Sequence, residues 1–459
     1  MIKHFVKSIS AVLAATVLCA GLAVPIPAKA YTEFSAPDHN IAVTADSFAY
    51  LEELGSDYFG GISVKALAYF FYQQLSQKKT SIEINKSEYN VTDYNKCFKL
   101  LNEVIKNWDV GLIAKPSTTG SHTNTTITLT VEYYDADYGA YSGKLEEVIA
   151  RVDKGWQDWE KALYLHDYIA VHFDYNYDQL NNSQYTEKHR AYGMLKDGQA
   201  VCEGYANLYS MALHRVGVDA TTVSATSSQG NHAWNLVKIG DTWYHVDITH
   251  DDCFHGDFPG QLRHINFLRG NSVIHEYQRY EDGTTYTQAC FSWGNEVSSC
   301  TSVSASDPEN YDKAFWTEFR SGSALDYIGA CEPIYIDNDP SKVMWMKYTW
   351  DENAGIKLYL CDADDVSDEP TKTNLFDNNQ VETNAGDALP NPYTQQWGYG
   401  DSNGNTFGYS GLVSHDNVVF FNDSHNVYAF YNQTVVTVRA DNSQNKIFGL
   451  EEEEGHLKY

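Results

Sequence analysis

The sequence predicts an α+β protein, in which a core of helices and an antiparallel sheet has an α+β extension before it and a β-rich region after it. Two segments, Asp158–Phe173 and Gln199–Gly217, place apolar residues every three to four positions, which is typical of helices. After Asp219 the apolar residues alternate, as they do in strands. Beyond Cys300 short alternating runs lie between clusters of Asn, Asp and Gly, which predicts a β-rich C-terminal region.

The remaining elements follow in chain order. Val64–Leu75 is strongly apolar and aromatic and predicts a buried helix, and Tyr94–Val104 has apolar residues at helical spacing. Thr123–Tyr134 alternates and is rich in Thr, Val and Ile, which predicts a half-buried strand, and Gly143–Val152 is again helical. The C-terminal region has one helical pattern, Lys313–Phe319, and five predicted strands: Val343–Trp350, Ile356–Leu360, Val418–Phe421, Val427–Tyr431 and Thr434–Val438.

Residues 1–30 have the pattern of a signal peptide. Lys3 and Lys7 precede the apolar stretch Ile9–Val24, and Ala28-Lys29-Ala30 fits the small-x-small rule for cleavage. Two prolines directly after the apolar stretch favour cleavage over a membrane anchor. We expect a secreted, extracellular protein that begins at Tyr31. No later segment approaches about 18 uninterrupted apolar residues, so no membrane span is expected.

The charge excludes one class of partner. Removal of residues 1–30 would take away three lysines and no acidic residue, so the net charge of −29 would become −32. A field of that sign repels phosphate backbones and anionic membrane surfaces. Nucleic-acid binding is therefore not expected.

Seven cysteines remain after cleavage, and an odd number in an exported protein leaves at least one thiol without a partner in the same chain. One interpretation is a free nucleophile with up to three disulfides, and the other is a set of buried thiols. The seven are Cys97, Cys202, Cys253, Cys290, Cys300, Cys331 and Cys361.

Cys202 is the first candidate catalytic residue. It begins the predicted helix after the run Asp197–Val201, where backbone N–H groups point outward with a partial positive charge. That charge favours a thiolate, which is the nucleophilic form. Gly204 allows close approach of the backbone near the sulfur.

A predicted hairpin supplies a base and an orienting acid. His232–Ile239 and Trp243–Thr249 flank Gly240-Asp241, a hairpin turn signal. If Ile239 opposes Thr242, then Trp234 faces Asp247. Because side chains alternate along a strand, His232 and Asp247 share a face as diagonal neighbours, within roughly 7–8 Å at Cβ.

Three other histidines compete with His232 for the role of the base: His214, His245 and His250. The setting of His232 separates it from them. A flexible Gly230-Asn231 precedes it, and Trp234 two positions later can cover the site and exclude water.

These motifs together resemble a known family. Val201-Cys-Glu-Gly-Tyr-Ala206, His232-Ala-Trp-Asn235 and Trp243-Tyr-His-Val-Asp247 are similar to the core of the transglutaminase-like superfamily in its secreted bacterial form. The helix with Leu165–Ile169, which leads to Tyr175 and Tyr177, also looks like that family's element before the cysteine loop.

The resemblance implies a papain-like α+β core and a role for each residue. Cys202 would be the nucleophile, His232 the base and then the acid, and Asp247 the orienting residue. The oxyanion would lie near the Cys202 backbone N–H. A side-chain donor is also expected, and both Gln199 and Tyr192 are candidates.

One departure from the family pattern follows Asp247. The related pattern reads Thr-Trp-Asp-Asp, whereas this chain has Thr249-His250-Asp251-Asp252, so a wall of the substrate cleft is expected to differ. The run His250–Asp257 offers imidazole, thiol and carboxylate groups for a metal. No second ligand cluster supports it, and a polar loop is the preferred interpretation, so no metal or cofactor is predicted.

The sequence thus predicts four segments and an extracellular thiol enzyme acting through a Cys thioester. The segments are a signal peptide (1–30), an N-terminal α+β region (31–140), a transglutaminase-like catalytic domain (141–301) and a β-rich C-terminal domain (302–459). The favoured activity is hydrolysis of peptide or amide bonds, as in a cysteine peptidase or amidase. The alternatives are a cross-linking protein-glutamine gamma-glutamyltransferase and a non-catalytic surface binding or scaffold protein. The expected substrate is an extracellular protein or peptide, and the C-terminal region could contact a cell-wall or surface partner.

Overall fold

A computed structural model describes the N-terminal two thirds of the chain almost continuously and the C-terminal third as separate strands. The described residues are 39, 41–179, 186–227, 230–252, 266–270, 289–297 and the C-terminal strands. They fall into two compact units, one within Pro37–Asp252 and Ile265–Asp312 and the other within Lys313–Tyr459. The predicted signal peptide and the predicted helix at Lys313–Phe319 lie outside the described residues.

The first unit contains the predicted helices with small shifts at their ends. The helices run over Ala49–Leu54, Ser56–Phe59, Val64–Ser76, Tyr94–Asn107, Tyr138–Ile149, Asp158–His172, Ala191–Asp197, Cys202–Arg215 and Ile248–Asp251. We call Cys202–Arg215 the cysteine helix. It ends where the sequence predicts, because Gly217 has a φ of +83° that favours glycine after a helix end.

Three sheets complete the first unit. Ser81–Asn85 (β1), Thr119–His122 (β2) and Thr126–Thr130 (β3) form one sheet in the order β1-β3-β2. The two-residue strands Asp174–Tyr175 (β4) and Gln199–Ala200 (β5) pair in parallel. Ala220–Ser227 (β6), Gly230–Ile239 (β7), Thr242–Val246 (β8) and Cys290–Phe291 (β9) form an antiparallel sheet in the order β8-β7-β6-β9.

The cysteine helix packs on this last sheet. Asn235 on β7 donates from Nδ2 to the backbone carbonyl of Ala206, at 2.9 Å, and to Ser210 Oγ, at 2.8 Å. Both bonds are buried, and an unpaired buried amide would be costly. The contact therefore fixes the helix relative to the strand that carries His232.

One hydrophobic core joins residues on both sides of position 140. Phe48, Phe71 and Leu101 belong to the same buried cluster as Trp234 and Phe291. A buried arginine adds a polar link, since Arg190 donates to the Ile105 carbonyl at 2.6 Å and to Asn207 Oδ1 at 2.7 Å. The predicted domain boundaries stay predictions.

The described residues of the second unit form antiparallel strands, so the predicted β-rich character of this region is confirmed. One sheet contains Ile334–Tyr335 (β10), Lys342–Tyr348 (β11), Ile356–Asp362 (β12) and Lys372–Asn374 (β13). A second contains Leu412–His415 (β14), Val418–Asn422 (β15), Asn426–Tyr431 (β16) and Thr434–Ala440 (β17), and Glu451–Glu453 (β18) pairs with His456–Lys458 (β19). Among the described residues no helix is both long and apolar enough to cross a bilayer.

Candidate active site

Cys202 is the first residue of the cysteine helix and is half-buried. The extended residue before it, Val201, donates its backbone N–H to the Lys188 carbonyl at 3.0 Å. Gly204 is required for this packing, since a Cβ there would lie 2.5 Å from the Ala200 Cβ and 2.8 Å from the Lys188 carbonyl oxygen. The helix start is thereby held against the segment that contains Lys188.

The predicted register of the hairpin is confirmed. Ile239 opposes Thr242 and Asn235 opposes Val246, with no irregularity between β7 and β8. His232 Nε2 lies 2.7 Å from Asp247 Oδ2, and both side chains are buried. His232 on β7 therefore meets Asp247, the residue that directly follows β8.

The predicted end of the second strand is wrong. β8 stops at Val246, and Asp247 caps the short helix Ile248–Asp251, where its Oδ1 accepts the His250 backbone N–H at 3.2 Å. A side-chain oxygen at this position satisfies an N–H that would otherwise lack a partner. Asp247 thus contacts the His232 ring with one carboxylate oxygen and accepts the His250 backbone N–H with the other.

The pKa shifts of His232 and Asp247 are those of an ion pair. Burial alone would lower the pKa of His232, but the charge of Asp247, the hydrogen bond to it and a hydrogen-bonding contact with the Cys202 side chain raise it to about 10. Burial would raise the pKa of Asp247, but the charges of His232 and His250 hold it below its ordinary value. The site thus favours a proton on His232, and the Cys202 thiol is a nearby source of that proton.

The hydrogen bond to Asp247 also assigns the ring nitrogens. Because Nε2 faces the carboxylate, Nδ1 is the nitrogen that can exchange a proton with Cys202. Trp234 stacks beside the ring, with centroids 5.5 Å apart and an interplanar angle of 25°. Its own Nε1 donates to His245 Nδ1 at 2.9 Å. Trp234 therefore covers one side of the imidazole as the sequence predicts.

The rival histidines occupy other positions. His245 is buried as the acceptor from Trp234, and its backbone pairs with Arg269. His214 stacks on Trp108 at 4.1 Å, and burial lowers its pKa to about 3, which suits a structural role. His250 is the exception, because its half-buried ring lies 4.6 Å from that of His232.

The two predicted side-chain donors of the oxyanion site, Gln199 and Tyr192, make contacts with other residues. The Gln199 side-chain oxygen accepts from Asn176 Nδ2 at 3.2 Å on the protein surface. The Tyr192 ring packs against Tyr134 at 4.7 Å and Tyr141 at 4.8 Å. Both stay without a demonstrated contact to Cys202 among the described interactions.

Sequence reasoning missed a buried network behind the site. His166, which is fully buried, places Nδ1 2.7 Å from Asp167 Oδ1 and Nε2 3.1 Å from Asp251 Oδ2. Asp251 also accepts the Asn266 backbone N–H at 2.9 Å. His166, Asp167 and Asp251 all belong to motifs quoted above. The contact between His166 and Asp251 could not be recognised, because 85 residues separate them in the chain.

A metal could be held here only at the expense of the ion pair. Donor atoms of His232, Asp247 and His250 lie within 4.8 Å of one another, which is the one such group among the described residues. A metal between His232 and Asp247 would replace their 2.7 Å hydrogen bond. The later part of the His250–Asp257 run lies outside the described residues.

Residues 146–248 match the sequence profile of the transglutaminase-like superfamily. A crystal structure of a TGase is 16% identical with a TM-score of 0.23, over 29% of this chain and 44% of that one. A candidate cysteine protease from Cytophaga hutchinsonii is 18% identical with a TM-score of 0.19, over 27% of this chain and 52% of that one.

The chain thus spans about half the length of these two solved proteins. No curated protein matches it. The profile match contains Cys202, His232 and Asp247 together with the helix and strands that carry them. Residues 146–248 are therefore the part of this α+β protein that is similar to the transglutaminase-like superfamily.

Proposed function

We propose that the chain is a cysteine enzyme that forms a thioester at Cys202 and hydrolyses it, as a peptidase or amidase acting on extracellular proteins or peptides. The observation that carries this proposal is the buried His232–Asp247 ion pair beside a half-buried cysteine at a helix start. The family match supports a thiol enzyme in general. The extracellular setting rests on the signal-peptide pattern of residues 1–30.

Each residue has one task in the proposed reaction. His232 Nδ1 takes the thiol proton, and the Cys202 sulfur adds to the substrate carbonyl carbon while the C=O electron pair moves to oxygen. When the pair returns, the C–N bond breaks and the amine leaves with the proton from His232. Water then adds to the thioester carbon and gives a proton to His232. When the C=O electron pair returns, the C–S bond breaks, the acid is released and the sulfur regains its proton from His232. Asp247 stabilises the imidazolium each time it forms.

Hydrolysis is favoured over transfer by the polar surroundings of the site. His250, an imidazole, lies 4.6 Å from His232 at the position where the family pattern has tryptophan. A transferase must exclude water, present at about 55 M, or hold an amine far better placed, and effective molarities of about 10⁵ M show that placement can suffice. A half-buried imidazole at this position leaves the cleft wetter.

Incubation with a glutamine-containing protein and a labelled primary amine tests the proposal. Peptide-bond or amide cleavage that disappears in Cys202→Ala is the expected result. Efficient amine incorporation without cleavage would instead identify a protein-glutamine gamma-glutamyltransferase. Absence of both, with an unreactive Cys202, would favour the non-catalytic binding protein, for which the β-rich C-terminal region would be the place to seek a wall or surface partner.

A further inference from the structure

Tyr175 lies beside the helix start that carries Cys202. β4 and β5 pair in parallel, so that Tyr175 is opposite Ala200. The neighbouring backbone bonds are short, with Asp174 N–H donating to the Gly198 carbonyl at 2.9 Å and Asn176 N–H to the Ala200 carbonyl at 2.8 Å. This pairing fixes the Tyr175 backbone against the residues that lead into Cys202.

The Tyr175 side chain points to the same helix start. Its ring lies against Tyr205, in the first turn of the cysteine helix, and both the side chain and the backbone of Cys202 influence the pKa of its hydroxyl. The ring is half-buried between Tyr177, at 5.0 Å between centroids, and Tyr205, at 6.3 Å. Tyr205 is itself anchored by its hydroxyl, which donates to Asp252 Oδ2 at 2.6 Å.

We propose that Tyr175 is the side-chain donor of the oxyanion site, so that its hydroxyl and the Cys202 backbone N–H stabilise the same substrate oxygen. This inference rests on the proposed function. When the Cys202 sulfur bonds to the carbonyl carbon, the C=O electron pair moves to oxygen and creates the charge that both donors face. A substrate oxygen bound between the two donors accepts a hydrogen bond from the Cys202 N–H and one from the Tyr175 hydroxyl.

A donor in this role must keep its proton. Burial and the nearby Cys202 and Tyr177 side chains raise the pKa of Tyr175 well above its ordinary value, despite the opposing effect of the Cys202 N–H. Tyr175 therefore donates and does not act as a base. The hydroxyl returns to its starting position when the oxyanion collapses, and it neither gains nor loses a proton in the cycle.

Tyr175→Phe separates this role from thiol activation, because it removes the hydroxyl and keeps the ring. Tyr177→Phe is the matched control, since Tyr177 is a neighbouring and 42% exposed tyrosine. Two reactions of the full chain are compared, namely acylation by p-nitrophenyl acetate and alkylation by iodoacetamide. Only acylation passes through an oxyanion.

We expect Tyr175→Phe to slow acylation by about 100-fold, as removal of one oxyanion donor does elsewhere, and to leave alkylation within a few-fold. Tyr177→Phe should change neither. A peptide aldehyde, which forms a tetrahedral adduct with the thiol, should bind Tyr175→Phe correspondingly less tightly than wild type.

Several results would overturn the inference. Unchanged acylation in Tyr175→Phe would show that the hydroxyl takes no part in the reaction. Faster acylation would show that the hydroxyl blocks the site. Equal losses in acylation and alkylation would show a role in positioning the thiol. If Tyr175→Phe does not fold, 3-fluorotyrosine at 175 decides: its more acidic hydroxyl is a stronger hydrogen-bond donor and must change the rate of acylation while the rate of alkylation stays the same. A wild type that is neither acylated nor alkylated at Cys202 contradicts the proposed function itself.

Discussion

Asp251 Oδ2 lies 3.1 Å from His166 Nε2, and Asp251 follows Asp247 by four residues in the helix that Asp247 caps. The His166 imidazole therefore holds the segment that presents the proposed orienting acid to His232. Asp167 contributes from the other side of the ring at 2.7 Å. Asp251, which contacts His166, and Asp247, which contacts His232, thus belong to one short backbone segment.

This network predicts a pH dependence of stability. Burial would lower the pKa of His166, but Asp167 and Asp251 raise it from about 6.5 to about 9. A group whose pKa is raised in the folded state stabilises the folded protein fully at a pH below its unfolded pKa. For His166 that stabilisation is lost as the pH rises from about 6.5 through about 9. We expect the wild-type free energy of unfolding, measured with urea, to fall over this range more than that of His166→Gln.

Removal of the His166 imidazole should be costly near neutral pH, where the ring carries its proton. His166→Ala leaves buried carboxylates without their imidazole, and breaking a buried pair in this way costs about 3–5 kcal/mol. The exposed His122 is a matched control, for which His122→Ala should change the free energy of unfolding by less than about 0.5 kcal/mol. Equal stability of His166→Ala and wild type would show that the network contributes nothing.

The three cysteines with described side chains should differ sharply in reactivity. Burial raises the pKa of Cys97 to about 12, and burial with the nearby Glu296 raises that of Cys290. Cys202 stands at a helix start beside His232. Limited iodoacetamide labelling near neutral pH, followed by mass spectrometry, should modify Cys202 before the other two. Earlier labelling of Cys97 or Cys290 would contradict the assignment.

The proposed triad predicts graded losses of turnover. Cys202→Ala and His232→Ala should each lower the rate of turnover by about 10⁶-fold, and Asp247→Asn by about 10⁴-fold. The losses are large because catalytic residues that act as a unit lose nearly all of their effect when one of them is removed. Cys290→Ala, a second half-buried cysteine, is the control and should keep wild-type turnover. Circular dichroism would verify that each variant is folded. Turnover near the wild-type level in Cys202→Ala would exclude the mechanism.

The register that leads to the contact of His232 with Asp247 could be predicted from parity, but the exit of Asp247 from the strand into a helix cap could not. A turn at Gly240, whose φ is +58°, fixes which residues oppose each other, and alternation then fixes the faces. The contacts of Tyr175 and His166 could not be predicted in this way. Tyr175 reaches Cys202 through a two-residue parallel pair, and His166 meets Asp251 across 85 residues. Neither contact leaves a local periodic pattern in the sequence.

The C-terminal β-rich region is predicted to be dispensable for the chemistry. A chain that ends near Asp307 should fold and keep the Cys202 thiol as reactive toward iodoacetamide as in the full chain. The reason is that the described part of the candidate site comes from residues within Pro37–Asp252 and Ile265–Asp312. An insoluble product would argue instead for one fused domain.

The last prediction concerns the choice between water and an amine at the thioester. His250 lies 4.6 Å from His232, ring edge to ring face at 82°, and its ring is half-buried. An indole in its place would add apolar surface over the thioester and exclude water. We expect His250→Trp to raise the ratio of amine incorporation to hydrolysis by about tenfold, which corresponds to about 1.4 kcal/mol.

His250→Gln is the matched control, since it keeps a polar side chain and should leave the ratio near that of wild type. The measurement uses one glutamine-containing protein and one labelled amine, with incorporation and released product followed in the same reaction. The chain is strongly acidic, with a net charge of −29. This charge attracts lysine amines, which favours transfer to an amine over the proposed hydrolysis. The ratio should therefore be measured at two salt concentrations, because screening weakens that attraction but not the exclusion of water by an indole. An equal ratio in His250→Trp and His250→Gln at high salt would show that this position does not control the acceptor.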